Sequence, residues 1–178
     1  MTIDITLPDG SVRNYDSPVT GFQIAESIGP RLLKDAICIE INNSFKDLSY
    51  EVSNNNNVRI ITNKDLDALH ILRHSSAHIL AQAVLNLYPD AQFGVGPSIE
   101  NGFYYDFLFA NPIKESDLTN IEQEMKNIAK SSQSFIRSEI TKKDAIKIFK
   151  KQKLKIELIE SAESDEGVGS DTVSLYKN

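Results

Sequence analysis

The segment of residues 66–87 constrains the fold more than any other part of the sequence. It is mostly apolar and contains neither glycine nor proline, and Pro89 follows shortly after it. Proline cannot continue a helix and disfavours helical backbone in the residue before it. Asn63 and Asp65 stand where a helix N-cap is expected. The sequence therefore predicts one long helix over these residues.

All three histidines of the chain fall on this predicted helix, at His70, His74 and His78. Side chains four residues apart lie on one helical face, about 5–6 Å apart at Cβ, so His74 and His78 can reach one small object. The spacing matches the HExxH zinc motif, but Ser-Ser-Ala stands between the two and the glutamate base is missing. Zinc sites need four ligands, and the only cysteine, Cys38, lies far upstream. A structural pair, an acid–base or substrate-binding pair, and a metal-binding pair all stay open from these residues.

The segment GVGPSIENGFYYDF, which follows the predicted helix, supplies groups that could complete a pocket. Its glycines bring backbone close to the surface, and Tyr104, Tyr105 and Asp106 carry polar ends on aromatic or short side chains. Neutral histidines, tyrosine hydroxyls and free backbone amides suit the binding of a polar molecule and the positioning of water. The alternative is that FYYDF is only an aromatic pair on an edge strand.

The first 62 residues have the pattern of a small α+β domain. IDITL and SVRNY are alternating β-forming runs around an Asp-Gly turn, which is a hairpin signal. Thr20 is placed to cap a helix that Gly29 ends, and AICIEIN and VRIIT follow as strands. This order predicts a ubiquitin-like β-grasp domain over residues 1–62.

Residues 63–178 are predicted to form a second α+β domain, with the histidine-bearing helix against an antiparallel sheet. The apolar spacing in ESDLTNIEQEMKNIAKSS predicts an amphipathic helix. Thr141 and Asp144 form a start resembling a capping box for a lysine-rich helix. The other expected elements are strand, turn and strand over residues 91–109, a strand in SFIRSEI, a helix or a strand in LKIELIESAE, and a loop entering a strand over residues 167–178.

Charge is distributed unevenly along the chain. The formal net charge of −6 argues against a surface coated in basic charge for nucleic acid. Residues 142–155 nevertheless hold seven lysines and one aspartate. This lysine-rich segment could meet phosphate groups, or it could be only a solvated helix face.

Signals for secretion or membrane insertion are not evident. The start, MTIDITLPDG, has no basic region followed by an apolar run. No apolar stretch approaches the ~20 residues that a membrane-spanning helix needs. Cys38 reads as a buried small hydrophobe, and a single cysteine fits a reducing compartment. We therefore expect a cytoplasmic protein with no membrane partner.

Taken together, the motifs resemble one known family. HSSAHILAQAVLNLYP followed by GVGPSIENGFYYDF closely resembles the start of the editing domain of the threonyl-tRNA synthetase (threonine–tRNA ligase) family. ITLPDGSVRNYDSPVT resembles the TGS domain of the same family, which is a β-grasp domain. The resemblance implies a TGS domain over residues 1–62 and an editing domain over residues 63–178. The zinc-binding editing domain of alanyl-tRNA synthetases is the alternative, since it shares H-x-x-x-H, but it lacks this N-terminal module and this aromatic string.

The resemblance implies proofreading within an aminoacyl-tRNA synthetase, a ligase of protein biosynthesis. A synthetic site that accepts threonine discriminates poorly against serine, because one missing methyl group is worth only ~1–3 kcal/mol. The editing domain of the family therefore hydrolyses seryl-tRNA(Thr). The implied partner is the acceptor end of tRNA(Thr).

The resemblance also assigns roles to residues of this chain. His74 would contact the 3′-terminal adenosine or help position the attacking water, and His78 would shape the pocket. Lys155, in LKIELI, matches a lysine in the family's YKVELI-like segment and would orient water or the substrate carbonyl. The implied substrate-binding positions are Gly96, Pro97, Tyr104 and Tyr105.

The sequence departs from the family after VSLYKN. In the family a D-x-C-R-G-P-H segment follows there and carries an aspartate, a cysteine and a histidine of the same site. The aminoacylation core, with its ATP, Mg²⁺ and zinc sites, and the anticodon-binding domain are also absent. We therefore expect no cofactor in this chain, weak or no deacylation, and a monomer, although the parent enzyme is a homodimer. The alternatives are a non-catalytic tRNA-binding module that uses the lysine-rich segment, and a zinc site that adds ligands from the missing segment to His74 and His78.

Overall fold

The computed structural model describes residues 1–161 and 171–177. The chain divides into two compact units, Met1–Leu72 and Arg73–Asn178. In chain order the first unit contains β1 (Thr2–Thr6), β2 (Val12–Asp16), β3 (Val19–Thr20), α1 (Gly21–Ile28), α2 (Pro30–Asp35), β4 (Ala36–Ile41), β5 (Ser44–Lys46), β6 (Glu51–Val52) and β7 (Asn56–Thr62).

The main sheet of the first unit has five strands in the order β2–β1–β7–β4–β5. The central strands β1 and β7 are parallel, and the other neighbours are antiparallel. The turn between β1 and β2 contains Gly10 with φ of 82°, a value that favours glycine. The predicted β-grasp fold is therefore confirmed.

The sequence signals for α1 are also confirmed. The Thr20 hydroxyl accepts from the Gln23 backbone amide at 3.3 Å, and the Gln23 side chain accepts from the Thr20 amide at 2.8 Å. This reciprocal capping box satisfies amides that the first helical turn leaves unpaired. Gly29 is the C-cap. The core beneath α1 is aliphatic, and its fully buried members include Ile5, Ile24, Ile39, Val52 and Val58.

Cys38 is buried, as predicted, with 4% of its surface exposed. Burial also raises the pKa of its thiol to about 11. A thiol with such a pKa stays protonated near neutral pH and is a poor nucleophile. Cys38 therefore acts as a small core residue, packed with Ile61 and Ala68.

The predicted long helix is confirmed as α3 (Leu66–Leu87), and the division between the two units falls within it. Asp65 stands immediately before the helix. Its carboxylate accepts from the Thr62 backbone amide at 2.7 Å and from the Thr62 hydroxyl at 2.8 Å. Arg59 pairs with the same carboxylate at 3.1 Å. Asp65 therefore fixes the turn between β7 and α3.

The second unit continues after α3 with β8 (Gln92–Phe93), β9 (Ser98–Ile99), β10 (Gly102–Phe103), β11 (Phe107–Leu108), α4 (Glu115–Lys130), β12 (Ile136–Thr141), α5 (Lys142–Ile148), α6 (Lys153–Ser161) and β13 (Thr172–Lys177). Its strands form antiparallel pairs: β8 with β11, β9 with β10, and β12 with β13. The amphipathic helix α4 buries Ile121 and Ile128 against Ala83 and Val84 of α3.

Two details of the second unit differ from the sequence-based expectation. The strand–turn–strand expected over residues 91–109 is divided into an outer pair, β8 with β11, and an inner pair, β9 with β10. The lysine-rich helix is capped by Thr141, whose hydroxyl accepts from the Asp144 amide at 3.1 Å, but it ends at Ile148, and a break separates it from α6 within the lysine-rich segment.

Tertiary hydrogen bonds of Gln152 account for this break. Its side chain accepts from the Phe93 amide and donates to the Ala91 carbonyl, both at 3.1 Å. The ambiguous segment LKIELIESAE is helical as far as Ser161. Its last two residues, and residues 167–170 and 178 of the expected loop and strand, lie outside the described residues. Across the part of the chain that the structure describes, none of the helices is both long and apolar enough to cross a membrane.

Candidate functional site

His74 and His78 lie one turn apart on α3, and their Nε2 atoms are 3.1 Å apart. The ring centroids are 4.7 Å apart and the ring planes are inclined by 80°. A hydrogen bond of this kind needs one Nε2–H donor and one unprotonated Nε2 acceptor, so at least one ring is neutral. His70 lies one turn earlier and is exposed.

The environment of His78 disfavours its charged form. Burial, and then the positive charges of His74 and Lys155, lower the pKa of His78 to about 4. The imidazole of His78 is therefore neutral near neutral pH and can accept a proton. Among the described residues, His, Cys, Asp and Glu side chains do not form a group of three or more that could hold a metal ion.

Two aromatic rings flank the histidine pair. Tyr176 on β13 lies 5.1 Å from the His78 ring and 6.0 Å from the His74 ring, measured between centroids. Phe135, just before β12, lies 6.0 Å from His78. These contacts place the pair on the face of α3 that packs against Tyr176 of β13 and the start of β12.

A cavity of about 510 Å³ opens beside His78. This volume lies within the range of small-molecule sites, which combine apolar walls with a few placed polar groups. The polar side chains that line it are His78, Gln82, Asn86, Tyr105, Lys155, Ser174, Tyr176 and Lys177, and the apolar ones include Leu85, Phe93, Phe149 and Leu175.

Lys155 on α6 is held at the cavity wall. Its Nζ donates to the Gly94 carbonyl at 2.9 Å and lies 5.0 Å and 5.9 Å from the ring centroids of Phe93 and Tyr105. Burial lowers the pKa of Lys155. An ammonium group has three N–H donors, so donors remain for a second acceptor in the cavity.

Tyr105 forms part of the same wall. Its ring stacks on Phe107 at 5.0 Å, and burial raises the pKa of its hydroxyl to about 12. Gly96 lies directly against this ring: a Cβ atom built at Gly96 would come within 2.0 Å of Tyr105 Cδ2. Because Gly96 has no side chain, its backbone can lie directly against the Tyr105 ring, which is the close approach expected of this glycine.

The other predicted substrate-binding residues lie differently. Tyr104 is 47% exposed, and its amide donates to the Pro97 carbonyl at 3.4 Å. Neither Pro97 nor Tyr104 is among the residues that line the cavity within the described part of the chain. His74 contacts His78, and it is His78 that lines the cavity. The structure thus brings His74, His78, Lys155 and Tyr105 together, with Gly96 behind Tyr105.

Arg73 fixes the loop that precedes Tyr104. Its guanidinium donates to the carbonyls of Ile99 and Glu100, in the turn between β9 and β10. The residue next to His74 therefore ties α3 to the segment that carries Tyr105. The sequence reasoning did not single out Arg73, Phe93, Gln152 or Tyr176, because no local pattern marks them.

Comparison with known proteins agrees with this architecture. Residues 3–62 match the TGS domain family. The chain is 45% identical over 168 residues to the threonine–tRNA ligase of Francisella philomiragia and 46% identical over 168 residues to that of Rhodospirillum rubrum. It is 47% identical over 166 residues to that of Streptococcus gordonii. Each of these alignments covers 93% of this chain and 26% of the relative.

The first unit thus contains a TGS domain with a β-grasp fold, and the second unit is an α+β domain with a histidine-lined cavity. Over nearly its whole length the chain is similar to part of the threonine–tRNA ligases, so the resemblance predicted from the two motifs is confirmed. The chain spans about a quarter of the length of these curated relatives.

Proposed function

We propose that this chain is the proofreading region of a threonine–tRNA ligase and that its cavity hydrolyses the ester bond of seryl-tRNA(Thr). The observation that carries the proposal is the pair of imidazoles on α3, 3.1 Å apart at Nε2, at the edge of a cavity whose wall holds Lys155. The relatives, named as threonine–tRNA ligases, support tRNA as the partner. The ATP-dependent joining of threonine to tRNA belongs, in this proposal, to the complete cytoplasmic, homodimeric enzyme.

The hydrolytic step needs a placed water and a proton carrier. A water molecule that enters between the two Nε2 atoms replaces their direct hydrogen bond, while both nitrogens keep facing each other. It donates to the acceptor Nε2 and accepts from the Nε2–H of the other imidazole. Its oxygen forms a bond to the ester carbonyl carbon while an imidazole takes its proton. The bond between that carbon and the ribose oxygen then breaks, and the ribose oxygen receives the proton. The products are serine and uncharged tRNA, and the step needs no cofactor.

Lys155 supplies charge stabilisation in this scheme. Negative charge develops on the carbonyl oxygen during the attack, and donors fixed in advance are worth most in a partly dehydrated site. The Lys155 ammonium is anchored by Gly94 and by two aromatic rings, so little reorganisation is needed before it meets the oxyanion. Tyr105 and Gly96 form the wall that holds it.

Deacylation of seryl-tRNA(Thr) tests the proposal. The 178-residue chain would be compared with a version extended through the D-x-C-R-G-P-H segment of the family, and with His74→Ala and His78→Ala in both. We expect slow hydrolysis or none from the shorter chain, fast hydrolysis from the extended one, and loss of activity in both variants. Unchanged activity in the two histidine variants would refute the assigned site. Full activity of the shorter chain would refute the expectation that the missing segment is required.

A second candidate function is RNA binding without catalysis through the lysine-rich segment. Lys150 and Lys151, in the turn between α5 and α6, and Lys153, at the start of α6, are exposed. Gln152 ties that turn to β8 beside the cavity. Phosphate contacts release counterions, so binding should weaken steeply with salt. This function would be supported instead if the chain binds tRNA with this salt dependence and the extended chain does not hydrolyse the ester.

A further inference from the structure

Tyr176 makes contacts that the proposed chemistry does not use. Its ring centroid lies 5.1 Å from the His78 ring and 6.0 Å from the His74 ring. It is half-buried and lines the cavity. Among the described aromatic residues, it is Tyr176 that contacts both imidazoles.

The relative orientation of the two imidazole rings depends on the side-chain torsion χ2 of each histidine. This torsion is broad for histidine, so an imidazole on a helix is not held in one ring orientation by its own rotamer preferences. The two Nε2 atoms face each other only when both rings take specific orientations. A rigid neighbour that touches both rings removes this freedom.

Tyr176 is also held by the neighbouring strand β12. It lies directly opposite Arg137 in the β12–β13 pairing. The pKa of Arg137 is raised, first by its hydrogen bond to Glu139 and also by one to the Tyr176 side chain. The Arg137–Glu139 ion pair measures 2.8 Å. Arg137 therefore connects Tyr176 to Glu139 on the neighbouring strand β12.

We propose that Tyr176, anchored by Arg137, is a positioning residue that holds His74 and His78 in the orientation required for hydrolysis. This inference rests on the proposed function for its catalytic meaning, but the positioning itself is a property of the folded chain. Tyr176 acts through the imidazoles, and Arg137 acts through Tyr176. Misplacement of a catalytic group by about 1 Å can cost on the order of 10²-fold in rate.

The test uses the 178-residue chain, whose histidines number only three. Long-range proton–nitrogen NMR spectra distinguish the two imidazole nitrogens and follow the protonation of each ring. The variants are Tyr176→Leu, which removes the aromatic ring and the hydroxyl, and Tyr176→Phe, which keeps the ring. Phe135→Leu is the matched control, because among the described ring contacts Phe135 touches His78 and not His74.

Tyr176→Leu is expected to abolish the Nε2–Nε2 hydrogen-bond signature and to move the His78 midpoint upward toward an ordinary histidine value. Tyr176→Phe should keep the signature, because the ring remains, which would be the rescue by the conservative variant. It loses the hydroxyl that Arg137 contacts, so it should move the His78 midpoint upward by less than Tyr176→Leu does. Phe135→Leu should shift His78 alone and keep the pair. If Tyr176→Leu does not fold, Arg137→Gln removes the anchor instead and should move His78 in the same direction by less.

An unchanged histidine pair in Tyr176→Leu, or in Arg137→Gln where the first does not fold, would overturn the positioning role. The extended chain then separates this result from failure of the proposed function. There, Tyr176→Leu should reduce kcat for seryl-tRNA(Thr) by about 10-fold or more with little change in KM. If His78→Ala leaves hydrolysis intact while Tyr176→Leu disrupts the pair, the proposed function fails and the positioning role stands.

Discussion

Replacement of Gly96 by alanine should disrupt the cavity wall by a predictable amount. The added Cβ would lie 2.0, 2.3 and 2.7 Å from three carbon atoms of the Tyr105 ring, whereas carbon atoms in contact are normally about 3.5–4.0 Å apart. The ring must therefore move by roughly 1.5 Å. It is held by its stacking on Phe107 and its contact with Lys155. Overpacking of this kind typically costs about 1–3 kcal/mol.

Thermal unfolding followed by far-UV circular dichroism measures this cost, since the chain contains no tryptophan. For a unit of this size, the expected loss corresponds to a fall in Tm of about 4–12 °C. Hydrogen exchange should locate the change in the second unit. Gly94→Ala is a milder variant, because its Cβ would lie 3.3 Å from the Asp106 Cβ. Gly29→Ala is the control, because a Cβ there meets nothing within 4 Å. If Gly96→Ala is as stable as Gly29→Ala, the close approach inferred for this wall is wrong.

Three further predictions concern charge. The His78 ring should titrate near pH 4 by NMR, since its pKa in the folded chain is about 4 and lies below the ordinary value of 6.5. The free energy of unfolding should therefore fall as the pH drops from about 6.5 to about 4, by up to ~3 kcal/mol. A midpoint near 6.5 would contradict the dehydrated environment of this ring. Lys155→Met should reduce kcat of the extended chain by at least about 10-fold, and an unchanged kcat would remove Lys155 from the oxyanion role. Arg59→Met breaks ion pairs to Glu40, Asp65 and Asp67. Urea unfolding should show that the free energy of unfolding falls by about 1 kcal/mol, since partly exposed ion pairs each contribute little. No loss would mean that this network does not stabilise the first unit.

Local signals in the sequence were sufficient for the elements that they encode directly. The Asp-Gly turn, the Thr20 cap and the uninterrupted segment ending before Pro89 each act within a few residues, and each is found in the structure. The four-residue spacing of His74 and His78 likewise places both rings on one helical face. These features follow from backbone geometry and need no tertiary information.

Contacts between distant segments could not be predicted in this way. Tyr176 reaches the histidines because β13 pairs with β12, and nothing in VSLYKN marks this tyrosine. The break between α5 and α6 depends on the side-chain bonds of Gln152 to β8, whereas the helical pattern continues through the lysines. The close approach of Gly96 to Tyr105 is also tertiary. Resemblance to a family identified Lys155, which composition and spacing alone did not.

The most direct test of the central claim is the ratio of hydrolysis rates for seryl-tRNA(Thr) and threonyl-tRNA(Thr) by the extended chain, with His74→Ala beside it and Gly29→Ala as the control. A proofreading site must spare the correct product, and the extra methyl group of threonine supports discrimination of at least about 10-fold. We expect faster hydrolysis of the seryl ester, loss of this activity in His74→Ala, and full activity in Gly29→Ala. Equal rates for the two esters, or a rate that His74→Ala does not change, would contradict the account.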